Sequence, residues 1–190
     1  MKKVLEPISQ RMICAVITLS LPFLVFGQQQ DRVVDWQPVL IKSEARVLEI
    51  VDVKVAGESI TIGHLFTANE AWLNTLTFRV RNISGKTIKD FGFGVAFPEI
   101  NANGRTPMFS IKYDGAESTK GDPGPPKRLM PDGEVDLKLP EDQLEVMRQV
   151  SMKLTGTSNL SKVNILAGLV TFEDGSGIGG FSLQRRASSN

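Results

Sequence analysis

The chain is 190 residues long, 41% hydrophobic and 23% charged, with 22 basic and 21 acidic groups. Those values describe an ordinary globular chain of about one domain and exclude a disordered or collagen-like one. A net charge of +1 supplies no field that would steer nucleic acid or an anionic membrane toward it.

Residues 1–27 read as a signal peptide. Lys2, Lys3 and Arg11 form a basic leader, "MICAVITLSLPFLVF" (Met12 to Phe26) an apolar run, and Gly27 precedes the polar Gln28-Gln29-Gln30. The run contains Pro22 and falls short of the roughly 20 apolar residues that span a bilayer. The expected location is therefore secreted or periplasmic, with no membrane span after cleavage. Cleavage would remove three basic groups and one acid, Glu6, so the 22 and 21 become 19 and 20 and the net charge −1. It would also remove Cys14, the only cysteine, so the mature chain could form no disulfide and must rely on its core.

Residues 28–38 are polar and read as a flexible lead-in to a single domain over 39–184. In "RVLEIVDVKV" the valines 51, 53 and 55 alternate with Asp52 and Lys54, the period of a half-buried strand. Ala56-Gly57-Glu58 is a turn, and "SITIGHLF" reads as the returning strand. The clearest segment is "NTLTFRVRNISGKTIKDFGFGVAF", Asn74 to Phe97. Leu76, Phe78 and Val80 alternate with polar residues, Asn82 to Lys86 supplies turn chemistry, and Phe91, Phe93, Val95 and Phe97 alternate with Gly92, Gly94 and Ala96. The small-residue face predicts close approach by another backbone or a bulky side chain. "MFSIKY" is a further strand, followed by a Gly-, Pro- and Lys-rich loop over Asp114 to Arg128. "EVDLKL" follows the turn Pro131-Asp132-Gly133. Glu141 to Gln149 is the one helix predicted, with proline and acids at its start. "VSMKLTG", "KVNILAGLVTF" and "GGFSLQRR" read as strands, and residues 185–190 as a polar tail. The sum is an all-β antiparallel β-sandwich with one short helix.

Gly175-Ser-Gly177-Ile-Gly-Gly180 spells the dinucleotide-binding fingerprint G-x-G-x-x-G. That turn works only when it opens a helix whose N–H groups face a pyrophosphate. Here "FSLQRRASSN" ends the sequence ten residues later, and Asp174-Gly175 is a hairpin signal, so the run is read as a hairpin. His64 is the only histidine, which leaves little with which to build a triad or a transition-metal site. Asp114, Glu117, Asp122, Asp132 and Glu134 could meet calcium but lack the spacing of an EF-hand loop and are read as solvating acids. Asn82-Ile-Ser84 and Asn159-Leu-Ser161 are glycosylation sequons. No catalytic set, metal site or cofactor is expected.

The stretch "LTFRVRNISGKTIKDFGFGVAF" is similar to the strand–N-x-S-G-K-x-I–strand unit of bacterial exported immunoglobulin-like modules, the FxLYD-type domains among them. In those a Pro-Gly-acid turn introduces a later strand, matched here by Pro131 to Glu134. The resemblance covers Leu76–Phe97 and Pro131–Leu139. It implies an immunoglobulin-like sandwich and, by analogy, a binding or spacer role. The chain departs from that pattern in lacking the Phe-x-Leu-Tyr-Asp signature, in the long loop at Asp114 to Arg128 and in the helix at Glu141. The expectation is a non-enzymatic exported domain binding a protein or glycan of the envelope or extracellular space. Its contacts are placed on two loops, through His64, Trp72, Tyr113, Asp114, Lys120, Lys127 and Arg128, with an exposed strand edge as the competing surface. The alternatives are an accessory domain with no dedicated ligand and a hydrolase with two carboxylates in a cleft. The sequence leaves the oligomeric state open.

Overall fold

A computed structural model describes residues 29–36, 47–101, 106–114, 128–181 and 184–185. The signal-peptide reading, Lys120, Lys127 and the end of the polar tail lie outside the described residues. The elements in order begin with strands β1 (Gln30–Trp36), β2 (Leu48–Val55), β3 (Glu58–Ser59) and β4 (Leu65–Ala68), then a single helical turn α1 (Trp72–Thr75). Strands β5 (Thr77–Asn82), β6 (Ile88–Ala96), β7 (Met108–Asp114) and β8 (Glu134–Lys138) follow, then helix α2 (Glu141–Thr155). Strands β9 (Lys162–Phe172), β10 (Gly177–Phe181) and β11 (Gln184–Arg185) complete the chain.

Two sheets form. The first has the order β4-β1-β9-β6-β7, with β10 also on β9; the second has β11-β2-β5-β8, with β3 also on β2. Their inner faces share one core, in which Phe78 of β5 and Phe93 of β6 meet edge to face at 5.5 Å. Without β1, β3, β4 and β11 the frame is β2-β5-β8 against β7-β6-β9-β10. That is the A-B-E against C′-C-F-G pairing of an immunoglobulin-like sandwich. Every pair within this frame is antiparallel, whereas β1 runs parallel to β9 and β11 parallel to β2.

Four expectations change. The lead-in over 28–38 contains strand β1, inserted between β4 and β9, so the sandwich begins at Gln30 rather than residue 39. Its inward positions include Arg32, which is fully buried, so the strand shows no apolar alternation. "SITIGHLF" is two strands. Glu58–Ser59 closes a hairpin on β2, then Gly63 at φ +82° turns the chain, and Leu65–Ala68 joins the other sheet. Helix α2 runs on through Thr155, absorbing "VSMKLTG", and α1 is a second helix. In "VSMKL" Val150, Met152 and Leu154 mimic a period of two, yet the helix buries Leu144, Met147 and Ser151. The polar Ser151 on that face donates to the Thr157 carbonyl at 2.6 Å, and Gly156 ends the helix in the left-handed conformation. Finally, Arg185 belongs to β11 rather than to a tail.

The motifs of the resemblance meet at one fully buried side chain. Asn82 ends β5. Its Nδ2 donates to the carbonyls of Lys86 and Leu129 at 2.7 and 3.0 Å. Its Oδ1 accepts from the backbone N–H and the hydroxyl of Ser84 at 3.0 and 2.7 Å. Its backbone N–H donates to Gly133 and its carbonyl accepts from Asp132. One residue thus joins the β5–β6 turn, the Leu129 bridge to Ile88 and the turn before β8. Gly133 is required there, because an added Cβ would lie 2.9 Å from the Met130 carbonyl oxygen. A glycan on Asn82 is incompatible with this burial. Replacing Asn82 with alanine strands these buried groups and is expected to cost about 2–4 kcal/mol, given roughly 1–3 kcal/mol for each buried polar group left unsatisfied. Urea denaturation measures it; a loss below about 1 kcal/mol would remove this residue from its central place.

Candidate functional site

The two loops expected to carry contacts lie at opposite ends of the larger sheet. His64 precedes β4, whose Leu65 is opposite Val33 of β1, and Val33 is in turn opposite Lys162, the first residue of β9. Asp114 is opposite Asp90 of β6, and Asp90 is opposite Thr171 near the end of β9. Nine residues of strand separate these levels, about 30 Å at roughly 3.3 Å per residue. Tyr113, Asp114 and Arg128 share the second end, apart from His64 and Trp72.

At the first end, Trp72 is 1% exposed and belongs to the core. Its expected role as a contact residue is corrected on that ground. The indole N–H donates to the Leu160 carbonyl at 2.8 Å, and the ring meets Phe66 edge to face at 5.4 Å. The same carbonyl accepts from Arg32 Nη1 at 2.8 Å, while Arg32 Nη2 donates to Asn159 Oδ1. Burial lowers the Arg32 pKa from its ordinary value, and the charges of Glu99 and Glu70 oppose that shift. The Asn159 amide donates to Gln30, so the amide nitrogens of both sequons are engaged within the fold. Glu99 accepts from the backbone N–H groups of Ser161 and Lys162 and from the Ser161 hydroxyl. His64 stands exposed on the turn above.

At the second end the glycine run is a hairpin. Gly175 takes φ +82°, Phe172 N–H donates to the Ser176 carbonyl, and Gly177–Phe181 returns along β9, with no helix there to receive a nucleotide. Lys86 reaches Asp174 at 2.9 Å, and Arg128 reaches Glu173 at 3.2 Å. Hydrogen bonds from the Ser176 hydroxyl, from Lys86 and from the Ser176 N–H hold the Asp174 carboxyl well below the usual range. Tyr113 stacks on Phe91 at 5.2 Å; burial raises its phenol pKa, against the charge of Arg128. Of the acids considered for calcium, Glu134 is engaged by Arg81 and Asp132 sits in the turn fastened to Asn82. Among the described residues no group of three or more His, Cys, Asp or Glu side chains could hold a metal ion.

The outer face of the second sheet is a ladder of charge. Cross-strand register lines up Glu49–Arg81–Glu134, Asp52–Arg79–Asp136 and Lys54–Thr77–Lys138. Arg79 grips Asp136 through two bonds of 2.7 and 3.0 Å, and Arg81 binds Glu134. The Arg79 bond is the main reason the Asp136 carboxyl lies below its ordinary range. These carboxylates stand on a flat sheet face, each beside an arginine. A shallow, open depression of ≈ 130 Å³ lies beside β2, lined by residues including Val51, Asp52 and Ile60. It is below the roughly 300–1,000 Å³ of small-molecule sites.

Between the two ends runs β7. The run Met108–Lys112 pairs with β6, and among the described residues no strand pairs with its other side. Met108 is 67% exposed, while Phe109 and Ile111 turn into the core. Among the described residues no helix is long and apolar enough to cross a membrane. Comparison with family models, with curated proteins and with solved structures found no match.

Two measurements follow. His64→Ala is expected to change stability by less than about 0.5 kcal/mol, as for an exposed turn residue. Trp72→Ala should cost about 3–5 kcal/mol through the cavity it opens. Urea titrations of both variants decide whether this end is a core anchor. Asp136 and Asp174 are both held below their ordinary pKa, so their contribution is present above about pH 4 and is lost as pH falls through the folded values. Arg79→Gln should flatten the acid limb of a plot of stability against pH.

Proposed function

We propose that the protein is an exported, non-enzymatic binding module that joins an envelope or extracellular protein through the edge strand β7, by adding a strand of the partner to its larger sheet. The observation that carries this reading is the position of Met108–Lys112 at the border of that sheet, running from the His64 end to the Arg128 end. A strand offers backbone N–H and C=O groups along such a border, and alternate side chains supply selectivity. The two loops, about 30 Å apart, suit a small partner less well. The ion-paired ladder on the second sheet is already satisfied by its own charges. Export rests on the basic and apolar N-terminal segment.

The test places a photo-cross-linking amino acid at Lys112 on β7 and, for comparison, at Lys138 on β8, in native cells. The expected result is one adduct from position 112, of a mass that is not a multiple of the chain's own, and none from 138. Adducts from 138 alone, or from neither position, would overturn the edge assignment.

A further inference from the structure

At the border formed by β7 the core is not fully closed. The inward side chains of the interior strands, Phe78 and Val80 of β5 and Phe91, Phe93 and Val95 of β6, are all buried. On β7 the inward row is Phe109, Ile111 and Tyr113, of which Ile111 is buried and the two rings are half-buried. Val135, an inward residue of β8 on the border of the other sheet, is half-buried too. The two border strands pass close to one another. β7 runs toward the Asn82 end and β8 away from it, so Tyr113 and Val135 lie at that end and Phe109 lies toward the other. Both rings are braced from within: Tyr113 stacks on Phe91 at 5.2 Å, and Phe109 meets Phe97 edge to face at 5.8 Å. Phe91 belongs to β6 and Phe97 directly follows it, so what stays exposed of each ring lies toward the border.

A strand added to β7 continues the alternation of faces. Every second side chain of it falls in the row of Phe109, Ile111 and Tyr113, and the others fall beside Met108, Ser110 and Lys112, which are exposed. The two rings are four residues apart, about 13 Å at roughly 3.3 Å per residue. An apolar side chain set against either ring closes a gap in the core, and cross-strand pairs of aromatic with aliphatic residues are a unit of sheet stabilisation. A charge in the same place would be desolvated among apolar groups. The residue between these two faces Ile111, which is already buried, and so gains less.

We propose that the segment seated on β7 is an amphipathic strand with large apolar side chains at i and i+4, which close over Phe109 and Tyr113 along the seam with β8, and polar side chains at the outward positions between. This rests on the edge reading above and adds to it the chemistry of the partner. The test uses the purified full chain with a photo-cross-linking amino acid at Lys112 or, separately, at Lys138, and two nine-residue peptides of identical composition. Both have lysine ends and contain threonine, leucine and valine. In the first, leucine, valine and leucine occupy every second position, which sets the leucines four apart; in the second the three are adjacent. The expected result is at least tenfold more adduct at position 112 from the first peptide than from the second, with background at 138. Tyr113→Ser and Phe109→Ser, each checked for an unchanged circular-dichroism spectrum, should each cut the first peptide's adduct at least fivefold. Equal adducts from both peptides at 112, or insensitivity to both variants, would overturn the proposed spacing and leave the edge reading standing. No adduct at 112 from either peptide, or adducts at 138 alone, would overturn both.

Discussion

The buried amide of Asn82 is the constraint on which one whole end of the sandwich depends. A side chain with two donors and two acceptor lone pairs is placed where it can be fully satisfied, and four bonds from three residues, Ser84, Lys86 and Leu129, converge on it. Leaving such a group unsatisfied inside a core is costly, so the alternatives to this arrangement are penalised as well as the native one favoured. The turn residues follow from it. Gly85 takes φ +72°, Asp132 φ +60°, and Gly133 has no room for a side chain. What reads in the sequence as a surface-turn motif with a glycosylation sequon is, in space, an internal fastening between sheets.

That contrast explains how much was legible in advance. Strands with strict alternation, such as Thr77–Arg81 of β5, show their register because the inward Phe78 and Val80 are apolar and the outward residues polar. The glycine hairpin was legible because Asp174-Gly175 is a turn signal directly after an apolar strand, and Gly175 takes φ +82° there. Strand β1 was not, since an arginine occupies one of its inward positions and is stabilised by a carbonyl 128 residues away. Nor was the second half of α2, where a buried serine interrupts the apolar stripe and exposed Met152 and Leu154 supply a false one. Hydrophobic periodicity fails wherever a polar side chain is buried with a partner supplied from far along the chain.

The candidate surfaces were harder still. Trp72 drew notice as a large aromatic beside a polar loop, but the partner of its indole N–H, the Leu160 carbonyl, lies 88 residues further on and cannot be inferred from local pattern. Likewise nothing local to the loops of His64 and Arg128 tells where they sit, and only strand register places them at opposite ends. By contrast, the small-residue alternation of β6 did signal close approach, and the neighbours are Leu166 and Lys112. The division of labour is clear in the two outer faces. One pairs Arg79 and Arg81 with carboxylates across its strands, whereas the other sets Leu169 and glycine toward solvent beside the Lys162–Asp35 pair.

The position of β1 has a consequence for the order of assembly. The strand nearest the start of the described chain lies inside a sheet and takes its parallel partner from Lys162–Ile165, with Arg32 seated on the carbonyl of Leu160. A chain emerging from its N-terminus can pair this segment with β4 early, but its bonds to β9 wait until almost the whole domain has been made. Closing a loop that long delays the contact, so the remaining strands are free to pair first. The frame of β2, β5, β6, β8 and β9 can then assemble before β1, with β4 on its other side, closes against Lys162–Ile165.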